Sequence, residues 1–340
     1  MSKISSETQK LLDKKTVLLF YKEYEADKFI KYDRYLKRLL RPLYHKLHHR
    51  QKKTGFAVSF ELMREALANA GYDVHVNDYK TAKWNPSYPV GLVGFPTLLD
   101  GWTLPNPAIL GPSLYDHPSL KPDLFSDQRY KKYTTLAPWT LDMYSSVYGD
   151  KCFSWFAGIN PKDWPDLSHE RKEYDFLIYD KVRWDHDAYE TSLINPILKE
   201  LDARKLSYRM VRYKMHDHET FKKLMAGARG FLFLCEHETQ GLAYQEAMAS
   251  GLPILAWDRG YWADPLWKKF SSSAPSASSV PFFSSTCGEK FKGTEDFGSA
   301  LDKFMAKRAT YKPRDYVMRD LDPKVSAKIY ADQYFGLVKS

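Results

Sequence analysis

Two glutamates stand with seven residues between them in the stretch CEHETQGLAYQEAMASGLPILAW, Cys235 to Trp257. They are Glu238 and Glu246, set around a Thr239-Gln240-Gly241 turn. The apolar run Gly230 to Leu234 leads in, and Ile254 to Trp257 leads out. If Cys235 to Gly241 leaves the carboxyl end of a parallel strand, it stands where open α/β sheets bind ligands. Thr239, Gln240, Gly241 and Leu242 then present backbone N–H groups at the start of a helix, a site that attracts phosphate. Gly241 lets the backbone approach a ligand closely. A carboxylate accepts hydrogen bonds from two vicinal hydroxyls at once, as in ribose recognition, and Glu246 follows about one turn into the helix. Each acid alone also fits a plain helix-dipole partner. The specific signal is the combination of acid, Gly turn, second acid, Ala-Met-Ala, Gly251, Pro253 and strand.

That combination resembles the retaining GT-B glycosyltransferases, glycosyltransferase family four above all. Their signature has two glutamates seven residues apart, then Ala-Met-Ala, Gly and Pro, matched here by Glu238, Glu246, Ala247-Met248-Ala249, Gly251 and Pro253. The family's Gly-Phe-Gly after the first Glu is Thr239-Gln240-Gly241 in this chain. The resemblance covers 210–260 strongly and extends over 172–340. It implies that Glu246 holds the nucleotide ribose and Glu238 the donor sugar. It implies that the amides of Gln240 to Leu242 hold the diphosphate or the sugar, with no metal and no cofactor.

Without a metal, cations must stabilise the charge growing on a diphosphate leaving group. The resemblance places them just after the first strand of the second domain, at Lys181 and Arg183 of DKVRWDHD. It places Tyr213 and His216, with Lys214 and Met215 between them, near the nucleobase. In the first domain, His117 or Asp116 of GPSLYDHPS is a candidate to face the donor sugar, and Gly55, at a helix start, to approach the diphosphate or acceptor. A Pro-rich loop and ordinary helix-start geometry explain these last two equally well.

The elements that position such groups alternate. Thr16 to Tyr21 reads as a buried strand. Gly55 to Ala70 reads as a helix with Phe56, Phe60, Met63 and Leu67 on one face, stopped by Gly71, and Tyr72 to Val76 as a second strand. Apolar runs at Val90 to Phe95 and Ala108 to Leu110 follow. After the polar, Pro-bearing stretch 158–172 the rhythm resumes. Strands are predicted at Phe176 to Tyr179, Tyr208 to Tyr213, Phe231 to Leu234 and Ile254 to Trp257, and helices at Leu193 to Leu201, Glu219 to Ala226 and Leu242 to Ser250. SSSAPSASS, 271–279, reads as a low-complexity loop. The expected fold is α/β, a GT-B architecture of two Rossmann-like domains facing across a cleft. The expected division is an N-terminal, acceptor-side domain over 1–160, a linker over 161–172 and a donor-side domain over 173–322. A C-terminal helix over 323–340 is expected to return to the first domain.

Length and composition bound the rest. At 340 residues the chain suits two domains. Its net charge of +9 fits an anionic partner. Three scattered cysteines, Cys152, Cys235 and Cys287, form neither a disulfide framework nor a metal spacing. A polar N-terminus and the lack of a long apolar run predict a cytoplasmic protein. Segment 28–53, with ten Lys or Arg and a Leu36, Leu40, Leu43, Leu47 stripe, is either a packed amphipathic helix or a peripheral contact with an anionic membrane. No nucleic-acid module accompanies that charge. The predicted activity is a retaining, metal-independent transfer of sugar from a UDP- or GDP-sugar to a hydroxyl of a glycan or lipid-linked acceptor. Alternatives on the same fold are a nucleotide-sugar epimerase, a sugar phosphorylase and a non-catalytic nucleotide-sugar binding protein.

Overall fold

The computed structural model describes residues 6–22, 55–112 and 114–339. The basic segment 28–53 lies outside the described residues. The chain divides into two compact units, with crossings at 158/159 and 321/322.

The first unit holds a six-stranded parallel sheet of order β2-β1-β3-β4-β5-β6. Its strands are β1 (Thr16–Lys22), β2 (Asp73–Val76), β3 (Val90–Gly94), β4 (Ala108–Leu110), β5 (Tyr130–Thr135) and β6 (Cys152–Ser154). Parallel strands covered on both faces need continuous apolar runs, and Val17 to Phe20 are all fully buried. The helix Gly55–Asn69 buries Phe60, Met63 and Leu67, while Phe56 stays exposed. Gly71, at φ +87°, ends that turn of chain in the left-handed region open to glycine. The C-terminal helix Pro323–Lys339 belongs to this unit.

The second unit holds a five-stranded parallel sheet of order β11-β10-β9-β7-β8. Its strands are β7 (Tyr174–Lys181), β8 (Tyr208–Arg212), β9 (Ala228–Cys235), β10 (Ile254–Trp257) and β11 (Gly288–Phe291). The chain steps from β7 to β8 on one side, then crosses back to β9 on the other. Neighbouring β7 and β9 are therefore the point where the strand order reverses, and the crevice beyond their carboxyl ends is left open to a ligand. The helix before β8 starts earlier than its apolar spacing suggests. It begins at His186–Tyr189, loosens into a wider turn at Glu190–Ile194 and becomes regular at Asn195–Ala203, where Pro196 removes an amide donor. Stretch 161–172 packs onto this unit. Leu167 N donates to Ser250 O at 2.9 Å, Lys172 Nζ to Leu167 O and Ala226 O at 2.8 and 3.1 Å, and Arg314 Nη1 to Trp164 O at 2.8 Å. Among the described residues no helix is long and apolar enough to cross a membrane.

Candidate functional site

Strands β7 and β9 pair with Asp180 opposite Leu234 and Lys181 opposite Cys235. The segments that follow leave the sheet side by side. Residues 236 to 238 carry no regular structure, and from them Glu236 and Glu238 both reach the end of β7.

Glu238 and Lys181 form an ion pair, with only 9% and 14% of their side chains exposed. Burial pushes the Glu238 carboxyl up, but Lys181, Arg183 and hydrogen bonds from Lys181 and Cys235 outweigh it and hold the group ionised below the usual carboxylate range. Burial likewise pulls Lys181 down, and Glu238, with Cys235 and Tyr213, more than restores it. The Lys181 ammonium also sits 4.5 Å from the ring centre of Tyr213. The pair predicted as separate sugar and phosphate contacts is thus joined, each charge balancing the other in a poorly solvated place.

Arg183 reaches across to the β9 loop. Its Nη2 donates to His237 O at 2.6 Å, and its guanidinium lies 4.4 Å from the Trp184 ring centre. His237 stacks on Trp184 at 5.1 Å and accepts from Ala263 N at its Nδ1. Burial, together with Arg183, Lys181 and Arg259, depresses the His237 pKa to about 2, so the imidazole stays neutral. Burial pushes the thiol of Cys235 beneath far up, away from the reactive thiolate form.

The turn itself is built inward. Gly241 lies at φ +77°, ψ +49°, and caps the helix Leu242–Ala249. A Cβ there would meet Tyr244 Cε1 at 2.1 Å. Glycine is demanded twice, by conformation and by space. The Gln240 side chain is buried, its Nε2 donating to Gln245 Oε1 at 2.7 Å, and Gln245 Nε2 donates to Gln240 O at 2.7 Å. Gln240 is therefore an internal brace of the turn. Thr239 is exposed, and Leu242 is half-buried at the helix start. Gly251, at φ +86°, follows the helix end, where Gly251 N and Leu252 N donate to Met248 O and Ala247 O.

Glu246 is half-buried, and among the described residues its carboxylate has no hydrogen bond or ion pair. Burial lifts it to about 8, against the opposing charges of Lys222 and Lys181. Its charge is felt in turn by Tyr179, whose hydroxyl lies 3.3 Å from His216 Nε2. Lys181, Glu238, Glu246, Tyr213 and His216 thus share one electrostatic neighbourhood.

Three predicted residues belong to the first unit, and of these Asp116 is exposed. His117 is buried, its Nδ1 accepting from Ser119 N at 3.1 Å to cap the short turn Pro118–Leu120, and burial lowers its pKa. Gly55 is the first residue of its helix.

Sequence reasoning missed three features. Glu236 is fully buried and binds the backbone after β7. Asp258, after β10, accepts from Ser278 Oγ, Ser279 N and Lys290 Nζ at 2.8, 3.0 and 2.8 Å. The serine-rich loop so anchored takes the Glu238 N–H on Ser278 O at 2.9 Å, so it is a wall of the site. One group among the described residues, His186, Asp187 and Glu190, has metal-like spacing. Both His186 nitrogens are engaged there, with Asp180 at 2.7 Å and Arg212 at 3.1 Å.

No protein-family model matches the chain, and no curated protein does. Solved structures do. AviGT4, a glycosyltransferase involved in avilamycin A biosynthesis, superposes with a TM-score of 0.58 at 13% identity, over 96% of this chain and 98% of its own. Sucrose-phosphate synthase from Thermosynechococcus elongatus gives 0.54 at 12% identity, over 96% and 99%. The lipopolysaccharide outer core galactosyltransferase WaaB gives 0.52 at 8% identity, over 94% and 99%. The fold is GT-B. It comprises two Rossmann-like α/β domains, as the strand alternation predicts.

Proposed function

We propose that the chain is a glycosyltransferase that moves a sugar from a nucleoside diphosphate sugar, UDP- or GDP-linked, to a hydroxyl of a glycan or lipid-linked acceptor, with retention of configuration. The observation that carries this reading is the meeting of Lys181, Arg183 and Glu238 beyond β7 and β9, beside a helix N-terminus and the unpartnered carboxylate of Glu246. The fold shared with glycosyltransferases of the same length supports it.

In this proposal Glu246 takes the ribose hydroxyls. Lys181 and Arg183 take the diphosphate, whose charge grows as the sugar leaves, and no metal is assigned to that task. Glu238 takes sugar hydroxyls while its pairing with Lys181 keeps it ionised. Such a carboxylate accepts hydrogen bonds but is a poor proton donor. Departure and attack on one face of the sugar, with the diphosphate itself accepting the acceptor's proton, suit this set better than an acid/base pair of glutamates. A cytoplasmic location and a peripheral membrane contact through 28–53 remain part of the proposal.

Calorimetric titration with UDP, GDP and ADP tests it, followed by donor hydrolysis with and without candidate acceptors. One diphosphate should bind, and its sugar should turn over with the anomeric configuration kept. Failure of all three to bind sinks the reading. Lys181→Ala alone is a poor probe of the phosphate role, because it strands Glu238 as a buried, unpaired charge at a cost of about 3–5 kcal/mol. Lys181→Arg, which keeps the charge, separates lost binding from lost fold.

A further inference from the structure

We propose that Glu236, which lies outside the two-glutamate signature, is the positioning residue that holds Arg183 ready for a diphosphate. This rests on the nucleoside-diphosphate reading above. A fully buried carboxylate next to an anion site is unfavourable on two counts, its own desolvation and its repulsion of the ligand. Its contacts give the compensating role. Oε1 accepts the backbone N–H groups of Arg183 at 2.8 Å and Trp184 at 3.0 Å. Those residues have run past the end of β7, where β9 no longer offers carbonyl partners, so Glu236 replaces the strand neighbour for two donors at once. Oε2 accepts no hydrogen bond among the described residues and lies 3.8 Å from Arg183 Nε.

Glu236 thus fixes the Arg183 backbone but leaves its guanidinium almost untouched. That guanidinium has five N–H donors, and among the described residues one bond is made, to His237 O. The Trp184 ring, its centre 4.4 Å away, packs against it. Its side chain is 30% exposed, so the group is not sealed in the interior. The result is a fork aimed before the ligand arrives, the condition under which a cation stabilises developing charge most effectively.

The test titrates the full chain with UDP, GDP and ADP. The tightest diphosphate and its monophosphate are then compared on Glu236→Ala, Glu236→Gln, Arg183→Ala and the Glu236→Ala/Arg183→Ala double variant. Glu236→Ala should weaken diphosphate binding about tenfold and monophosphate binding much less, with Arg183→Ala adding little on that background. Glu236→Gln keeps the carbonyl acceptor and should stay within about twofold of the parent. Hydrogen exchange over 182–186 should quicken in Glu236→Ala and not in Glu236→Gln. Unchanged diphosphate affinity in Glu236→Ala, equal loss of both nucleotides, or unaltered exchange overturns the inference alone. If no diphosphate binds the parent chain, the inference and the glycosyltransferase reading fall together. Should Glu236→Ala not fold, Glu236→Asp, one methylene too short to meet both amides, takes its place with the same expected ordering.

Discussion

At the scale of single residues the most informative group is Glu246, because its chemistry and its surroundings disagree. A half-buried carboxyl without a partner is lifted from 4.5 to about 8, chiefly by burial. Folding therefore raises its affinity for a proton. Between those two values the folded chain holds a proton that the unfolded chain has lost, so this group makes stability fall as pH rises through that window. Glu246→Gln has no such group, and the unfolding free energy of the parent should drop relative to the variant from pH 5 to pH 8, by about 1–2 kcal/mol given the group's partial exposure. The same carboxyl gives a ligand signature. Hydroxyls that donate to it favour its ionised form, so nucleotide binding near neutral pH should release a fraction of a proton, up to about one. Calorimetry in two buffers of different ionisation enthalpy reads that release. Glu246→Gln should release fewer protons than the parent, and equal release from both would remove Glu246 from the ligand site.

At the scale of elements the Gly241 turn decides whether the helix N-terminus is presented at all. The helix Leu242–Ala249 abuts a turn with Gln240 braced on Gln245 and with Tyr244 fully buried, its hydroxyl accepting from Phe282 N at 3.0 Å. Gly241→Ala forces a Cβ into that tyrosine at φ +77° and should cost about 2–4 kcal/mol in chemical denaturation. Gly298→Ala, in the same unit, is the contrast. It lies inside the helix Thr294–Lys307, where a Cβ meets only the Arg204 fork at 3.3 Å and the Glu200 carboxylate, both movable, and alanine should stabilise by up to about 1 kcal/mol. These elements also show what was legible in advance. Strands β1, β7, β9 and β10 carry unbroken apolar runs, and the helix Gly55–Asn69 a clear 3.6-residue stripe, so each could be read directly. β11, GEKF, has two charges in four residues, and β5, YKKYTT, has two adjacent lysines with Lys131 exposed, so neither advertises a strand. In the site, Glu238 and Glu246 were legible through local spacing. Glu236 was not, because its partners at 183 and 184 become neighbours only through the β7–β9 pairing. A second acid two residues before Glu238 was the one available signal.

At the scale of the whole molecule the chain's last helix completes its first sheet. β1 pairs with β3 only from Leu19 opposite Gly91 onward, and Pro89, just before β3, has no amide to offer. The Tyr334 hydroxyl fills that gap. It accepts from Leu18 N at 2.9 Å and donates to Pro89 O at 2.5 Å, contacts that span 316 and 245 residues of sequence. The neighbouring tyrosine depends on glycine in the same sheet, since a Cβ on Gly91 would stand 2.1 Å from the Tyr330 hydroxyl. Tyr334→Phe keeps the ring and removes only the bridge, leaving a buried N–H and a buried carbonyl without partners. The expected loss is about 2–3 kcal/mol. Because the chain folds as two units, a single melting curve would blur that loss. Hydrogen exchange followed peptide by peptide localises it instead. Exchange over 16–22 should accelerate in Tyr334→Phe while 174–181 and 228–235 keep their protection. Equal protection of 16–22 in variant and parent would mean that the helix covers the sheet without securing it.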